Sequence, residues 1–299
     1  MKVFVTGATG FIGSAVVNEL LGAGHQVLGL ARNETSAQKL INVGAEVHYG
    51  DLNDLESIKS GAQSADGIIH LGFIHDFTRF AEVCAIDKQV IETIGEAIMG
   101  TEKPFLVTSG TAIVAQPEIV SEHQRISSTS HNPRIASEIA VDIIAEKGCK
   151  VAVVRLPPSV HGEGDLHGFV PILVNLAREK GKAVVINGGQ NVWPAVHRLD
   201  GARAFRLALE SSWSSGTRFH AVAEQGIEMK TIAGLIAQHL EVPLVSLSTE
   251  EAAEYFTWFV HFASFNNPTS SEITKAMLNW EPTAPSLIED LETKVYFQQ

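Results

Sequence analysis

The chain has 299 residues, of which 45% are hydrophobic and 19% charged, a composition typical of a globular protein with a sizeable core. Its formal net charge of −12 argues against nucleic acid and anionic membranes as partners. Because no apolar run is long enough for a membrane span or a signal peptide, we expect neither, and we expect a cytoplasmic protein.

The chain opens with a pattern of strand, glycine turn and helix. An apolar run from Val3 to Thr6 is followed by Gly7, Gly10 and Gly13. Gly7 suits a tight turn, Gly10 lets a ligand approach the backbone, and Gly13 lets the helix lie close to the strand. Free N–H groups and the positive dipole end of the helix then predict a dinucleotide pyrophosphate site, with a purely structural turn as the alternative. The predicted contacts in this turn are Gly7, Thr9, Gly10, Phe11 and Ile12.

Strands and helices alternate through the first half of the chain. Further strands are predicted over residues 25–30, 46–49, 67–71, 104–108 and 151–156, and helices over residues 14–23, 33–43, 52–60, 80–99 and 133–147. This alternation predicts an α/β fold, a Rossmann-type doubly wound parallel sheet. Ligands bind such sheets at the carboxyl ends of the strands, so the loops there should hold the site.

The second half is richer in helices. Helices are predicted over residues 170–180, 198–210, 229–240, 249–262, 270–277 and 286–293, and strands over residues 183–186 and 218–222. We therefore predict a dinucleotide-binding core over residues 1–160. A smaller C-terminal substrate lobe follows over residues 161–299, with residues 191–222 returning to the core.

The two cysteines, Cys84 and Cys149, belong to no metal or redox motif, so buried free thiols in a reducing compartment are expected. No sequence motif for a metal site or for esterase chemistry is present, and we predict no metal.

The glycine spacing Gly-x-x-Gly-x-x-Gly resembles that of the short-chain dehydrogenase/reductase superfamily, in its extended branch, the NAD-dependent epimerase/dehydratase-like family. Residues 133–138, 154–162 and 193–200 are similar to atypical members in which Pro-Arg-x-x-Ser-Glu replaces the usual catalytic pair. The resemblance implies an oxidoreductase with a nicotinamide cofactor and leaves a homodimer open. It also implies cofactor contacts at Asp51, Leu52, Leu71, Gly72 and Pro157.

Arg32 stands where NAD enzymes usually place an acidic residue, at the end of the second strand. A guanidinium there suits the 2′-phosphate of NADP, so we predict NADP as the cofactor. A solvated surface arginine is the alternative.

The family's Tyr-x-x-x-Lys pair is missing, and the resemblance places Arg134 and Glu138 at its two positions. Arg134 stays protonated, which makes it a poor acid but a good donor for orienting a carbonyl or carboxylate. Because the two residues are four apart, a simple ion pair on the helix surface is the alternative.

Other candidates for the catalytic chemistry follow the fifth and sixth strands. Ser109 and Thr111 are predicted to bind a substrate oxygen. His161 lies where extended members carry a tyrosine, and its imidazole titrates near neutrality, which suits a proton donor. A hydrogen bond that orders its loop is the equal alternative.

The predicted function is an NADP-dependent oxidoreductase acting on a small, partly apolar carbonyl, imine or activated alkene. A non-catalytic NADP(H)-binding sensor or scaffold is the alternative, since a fold does not fix a function. An epimerase or dehydratase is weaker, because those reactions depend on the missing base. The aromatic candidates for an apolar substrate pocket are Phe73, Phe77, Phe169, Trp193 and Trp258, and a place in the core is the favoured alternative for each of them.

Overall fold

A computed structural model describes residues 1–127, 130–293 and 296–297. Its strands are β1 (Lys2–Thr6), β2 (Gln26–Ala31), β3 (Glu46–Tyr49), β4 (Gly67–His70), β5 (Phe105–Gly110), β6 (Val151–Leu156), β7 (Ser159–His161), β8 (Ala183–Ile186), β9 (Val192–His197), β10 (Thr217–His220), β11 (Glu224–Glu228) and β12 (Leu244–Leu247).

The α-helices are α1 (Phe11–Gly22), α2 (Glu34–Asn42), α3 (Leu55–Gln63), α4 (Phe80–Ala97), α5 (Ile135–Glu146), α6 (Phe169–Lys180), α7 (Arg198–Glu210), α8 (Met229–Leu240), α9 (Thr249–Phe256), α10 (Val260–Ser264), α11 (Glu272–Leu278) and α12 (Leu287–Glu292). Short 3₁₀ turns span Phe77–Arg79, Thr111–Val114 and Thr257–Phe259.

Seven parallel strands form the central sheet in the order β10-β6-β5-β4-β1-β2-β3. The chain builds β2 and β3 on one side of β1 and then returns to place β4 on the other side. The topological switch point therefore lies between β1 and β4, where ligands bind in doubly wound sheets. The predicted α/β, Rossmann-type fold is confirmed.

Helices cover both faces of this sheet. Helices α1, α2 and α7 pack on one face through residues such as Val16, Leu40 and Phe205. Helices α3, α4 and α5 pack on the other through residues such as Ile58 and Ile94. The parallel strands are buried because apolar side chains of these helices cover both faces of the sheet.

A separate hydrophobic cluster joins α6, α8, α9 and the two-stranded sheet of β8 and β12. The segment predicted to return to the core, residues 191–222, supplies β10 to the central sheet and packs α7 on α1. Its strand β9 pairs instead with β7 and β11 in a third sheet. The division at residue 160 stays a prediction.

The helix predicted over residues 249–262 is wrong as one element. It is broken at Thr257, which has a φ of +51°, so α9 ends at Phe256 and α10 begins at Val260. Strands β7, β9, β11 and β12 were not predicted. Three of them are short and lack a strong apolar pattern, and β9 contains Pro194, which cannot donate to a strand ladder. Cys84 and Cys149 are buried free thiols, as predicted. Among the described helices, none has the length and apolarity needed to cross a membrane.

Candidate active site

The glycine turn leaves the amino end of α1 open. Gly10 precedes the helix in extended backbone and provides no side chain as a cap. A Cβ on Gly7 would lie 2.7 Å from the Gly72 nitrogen, and one on Gly13 would lie 2.0 Å from the Gly7 oxygen. Since only glycine fits these close approaches, the turn keeps helix N–H groups available, and its residues fit a pyrophosphate. Phe11 and Ile12, both partly buried, form the first residues of the helix.

Other predicted cofactor positions gather around this turn. Leu71 and Gly72 follow β4 and lie against Gly7, and Leu52 lies beside Gly72, where an added Cβ would be 3.2 Å from its Cδ2. Asp51 Oδ1 accepts hydrogen bonds from Asn53, which fixes the loop after β3.

Arg32 is exposed directly after β2, next to Asn33, which caps α2 by accepting a hydrogen bond from Ser36 at 2.9 Å. Thr9 is partly buried within the glycine turn, and Pro157 is buried directly after β6. The positions after β1, β2, β4 and β6 thus share the carboxyl edge of the sheet.

A buried polar chain leads from the glycine turn to α4. The Gly72 N–H donates to Thr6 Oγ1 at 3.0 Å, and this oxygen lies 2.6 Å from His70 Nδ1. His70 Nε2 lies 3.1 Å from Asp87 Oδ1. Since an ionised carboxylate only accepts, His70 donates to Asp87 through Nε2. His70 is therefore a core histidine that supports the turn.

Arg134 contacts Asp87 rather than Glu138. Its Nη1 lies 2.7 Å from Asp87 Oδ2, which also accepts from Ser137 Oγ at 2.5 Å. Its Nη2 donates to the Thr108 carbonyl at 3.0 Å, and its guanidinium lies 4.5 Å from the centre of the Phe73 ring. Burial raises the pKa of Asp87, but Arg134, His70 and Ser137 outweigh this and lower it to about 2. Arg134 is thus fixed at the carboxyl end of β5.

Glu138 is fully buried, and the alternative of a surface ion pair with Arg134 is wrong. Both of its oxygens accept from Arg155 at 2.8 Å, and Arg218 lies 3.3 Å away. Burial raises the pKa of Glu138, yet the two arginines lower it overall. Glu138 therefore joins α5 to β6 and β10. Because arginines bind both of its carboxylate oxygens, Glu138 is not available for proton transfer.

The two hydroxyl candidates are buried. Ser109 is 4% exposed beside the Glu138 carboxylate, without a hydrogen bond of normal geometry to the described residues. Thr111 Oγ1 donates to Asn267 Oδ1 at 2.6 Å, and the Asn267 amide donates back to the Thr111 carbonyl at 3.4 Å. The Thr111 hydroxyl therefore fixes the loop after β5 to the C-terminal segment instead of pointing to a ligand.

His161 is fully buried on β7, and the structure favours its ordering role. Its Nδ1 lies 2.6 Å from Asp290 Oδ2 on α12, and its ring packs edge-on against His197 at 5.4 Å. His161 thus connects the third sheet to α12. In this conformation its imidazole has no surface that a substrate can reach.

The aromatic pocket candidates divide into two groups. Trp193 is fully buried within the C-terminal cluster, in the core position given as its alternative. Phe77 and Trp258 are 40% and 53% exposed and stack on each other at 5.3 Å. Phe73 and Phe169 are partly buried beside them.

The family model of the NAD-dependent epimerase/dehydratase family matches residues 3–220. The chain belongs to the NAD-dependent epimerase/dehydratase family. An uncharacterized protein of Schizosaccharomyces pombe is 46% identical over 99% of this chain and 100% of its own. An uncharacterized protein of Saccharomyces cerevisiae is 44% identical over 97% of this chain and 98% of its own. The structure of the dTDP-glucose 4,6-dehydratase DesIV of Streptomyces venezuelae, with NAD and TYD bound, is 16% identical over 100% of this chain and 97% of that one, with a TM-score of 0.78.

This member of the epimerase/dehydratase family has site residues that sequence reasoning missed. Asp87 binds Arg134 and fixes its position. Asn267 binds Thr111, and Asp290 binds His161. The contacts of Asn267 and Asp290 span more than a hundred residues of chain, so no local pattern predicts them. Asp87 had a visible signal, because it falls within the apolar stripe of α4.

Arg198 was also missed. Its guanidinium lies 5.2 Å from the Phe11 ring, at the start of α1. It adds a positive charge beside the glycine turn.

Proposed function

We propose that this family member is an NADP(H)-dependent oxidoreductase that acts on a small, partly apolar carbonyl, imine or activated alkene without a Tyr-x-x-x-Lys pair. The observation that supports NADP(H) as the cofactor is Arg32, which is exposed at the carboxyl end of β2 in place of an acidic residue. Its guanidinium suits bidentate hydrogen bonds to a 2′-phosphate. The glycine turn and Arg198 supply N–H groups and positive charge for the pyrophosphate.

Arg134 is the residue we assign to substrate orientation. Among the predicted catalytic residues it alone keeps a substantial exposed fraction, 16% of its side chain, whereas Ser109, Thr111 and His161 are buried. Asp87 holds it in one position, and a fixed donor at the carboxyl edge stabilises charge that develops on a substrate oxygen.

A non-catalytic NADP(H)-binding sensor is the second candidate. The burial of Ser109, Thr111 and His161 favours it, because it leaves few groups for proton transfer. Thr111 and His161 are also bound to Asn267 and Asp290. An epimerase or dehydratase is weaker, since Glu138 occupies the lysine position and is bound by Arg155.

NADPH consumption across a panel of small aldehydes, ketones and imines separates these functions. The oxidoreductase proposal expects turnover of at least one compound by the wild type, and Arg134→Ala should lower kcat more than it changes the Kd for NADPH. Exposed Arg178→Ala is the control, and it should leave both unchanged. Tight NADPH binding without turnover on any compound would favour the sensor.

A further inference from the structure

Four segments meet at the carboxyl edge of the sheet, next to the glycine turn. The loop after β4 runs from Gly72, which lies against Gly7, to Phe77. Arg134 lies over Phe73 of this loop, at the start of α5. The start of α6 contributes Phe169, which packs against Phe262 of α10 at 4.8 Å. Elements that are distant in sequence thus converge where the fold places its substrates.

An aromatic patch lies at this convergence, which we define as Phe73, His75, Phe77, Trp258 and Phe262. The Phe77 ring lies 5.3 Å from Trp258 at an interplanar angle of 22°, and it meets Phe262 edge-on at 6.3 Å. The β4 loop and the C-terminal lobe are therefore joined here by ring contacts. Because Phe77 and Trp258 remain 40% and 53% exposed, flat apolar surface is still open to a ligand.

The backbone before Trp258 is strained. Thr257 is β-branched and has a φ of +51° with ψ of −123°, a conformation that side chains of this kind rarely adopt. Such strain costs free energy and is found where the surrounding structure holds a side chain in a functional position. Here it breaks the predicted helix and sets the Trp258 ring against Phe77.

Two groups in the patch can form hydrogen bonds at the surface, the His75 imidazole and the Trp258 indole N–H. The His75 ring is exposed, and it meets Phe73 edge-on at 5.4 Å and Phe77 at 6.3 Å. Loss of hydration lowers the pKa of His75, a hydrogen bond to the Phe73 backbone opposes this, and the charges of Arg134 and His167 lower it further. Because a neutral imidazole carries one N–H, a ligand oxygen would take this donor in place of the Phe73 carbonyl.

We propose that the aromatic patch binds the substrate, and that this substrate is a planar, conjugated carbonyl compound whose oxygen accepts a hydrogen bond from His75. The inference rests on the proposed function, whose substrate class it narrows. A flat ring gains offset stacking on Trp258 and Phe77, which a puckered ring of the same size does not. His75 and Arg134 both lie against the Phe73 ring, so the oxygen of a stacked ligand has donors nearby.

The test is calorimetric titration of acetophenone and cyclohexyl methyl ketone, in the presence of saturating NADP⁺. The two ketones share a carbonyl and a six-membered ring, and only the first is planar. The wild type should bind acetophenone about three- to tenfold more tightly. Trp258→Leu should bring this ratio close to one, and Trp258→Phe should keep most of it. A circular dichroism spectrum and melting temperature check that each variant is folded.

The His75 arm of the test uses a matched pair. His75→Leu should weaken acetophenone binding about three- to tenfold, because one hydrogen bond is lost, and His75→Gln should restore part of it. His25→Leu is the control, because His25 directly precedes β2 at the opposite edge of the sheet, and it should leave the affinity unchanged.

Equal affinity for the two ketones, no binding of either, or a ratio that Trp258→Leu leaves intact would overturn the inference. NADPH turnover of carbonyl compounds without a planar preference would keep the proposed function and remove the inference. Tighter binding of the planar ketone, without NADPH turnover on any carbonyl compound, would keep the inference about the patch and remove the proposed function.

Discussion

Arg134 Nη1 lies 2.7 Å from Asp87 Oδ2, across the interface between α5 and α4, while Glu138, one turn along α5, faces Arg155 instead. The two charged residues that replace the family's catalytic pair therefore have separate partners. Arg134 stays at the rim of the site, and Glu138 belongs to the core. This separation determines how each should respond to substitution.

Asp87→Asn should destabilise the protein by about 3–5 kcal/mol, because it leaves the Arg134 guanidinium without its buried counter-charge. Urea unfolding at pH 7 measures this. Exposed Asp54→Asn, which keeps an oxygen for its cap at Ser57, is the control and should cost much less. A loss below 1 kcal/mol for Asp87→Asn would show that the pair is not a stabilising contact.

The same carboxylate predicts acid sensitivity. Its pKa is lowered to about 2 in the folded protein, so its stabilisation is fully present above the unfolded pKa near 4 and is lost as pH falls towards 2. The contribution is about 2 kcal/mol, and Asp87→Asn should lack this part of the pH dependence. Unfolding free energies at pH 5, 4 and 3 compare the two proteins. Parallel curves would contradict the assignment.

Glu138→Lys, which would restore the usual lysine, should prevent stable folding. It would place an ammonium group beside Arg155 and Arg218, with all three positions buried. Glu138→Gln, a neutral variant of the same shape, should be destabilised but less severely. Expression, melting temperature and circular dichroism follow both. A folded Glu138→Lys protein with a wild-type melting temperature would show that this cluster tolerates a third cation.

His161→Ala should lower stability by about 1–3 kcal/mol, because Asp290 would lose its buried hydrogen-bond partner. His161→Asn keeps a donor near the Nδ1 position and should recover part of this loss. Once a substrate is known, His161→Asn should also keep turnover. If turnover disappears while the melting temperature is unchanged, His161 is the proton donor and its ordering role is secondary.

Gly10→Val should remove NADPH binding and leave a folded protein. An added Cβ at Gly10 has a single close neighbour, the Gly7 oxygen at 3.3 Å, so the branched side chain projects towards the ligand side of the turn. Gly22→Ala in the same helix meets nothing within 4 Å and is the control, with binding unchanged. Fluorescence titration with NADPH reports both. Unaltered affinity in Gly10→Val would mean that the cofactor does not use this turn.

Local patterns predicted the Rossmann sheet because apolar runs, glycine spacing and the three- to four-residue stripe act over a few residues. These patterns failed where contacts between residues distant in sequence determine the local structure. The four-residue spacing of Arg134 and Glu138 suggested a pair, but Asp87, 47 residues away from Arg134, competes for it. The break at Thr257 could not be predicted from the sequence, because no glycine or proline marks it. It occurs where Trp258 stacks on the distant Phe77.

The most direct test of the account is whether the protein prefers NADPH, which carries the 2′-phosphate, over NADH. Dissociation constants for NADPH and NADH are measured for the wild type, Arg32→Ala and the surface control Arg178→Ala. The wild type should bind NADPH more tightly than NADH, and Arg32→Ala should weaken NADPH binding about ten- to a hundredfold, since a charge-assisted contact is lost. Binding of NADH should change little, and Arg178→Ala should match the wild type. A wild type that binds NADH as tightly as NADPH, or an Arg32→Ala variant with unchanged NADPH affinity, would contradict the account.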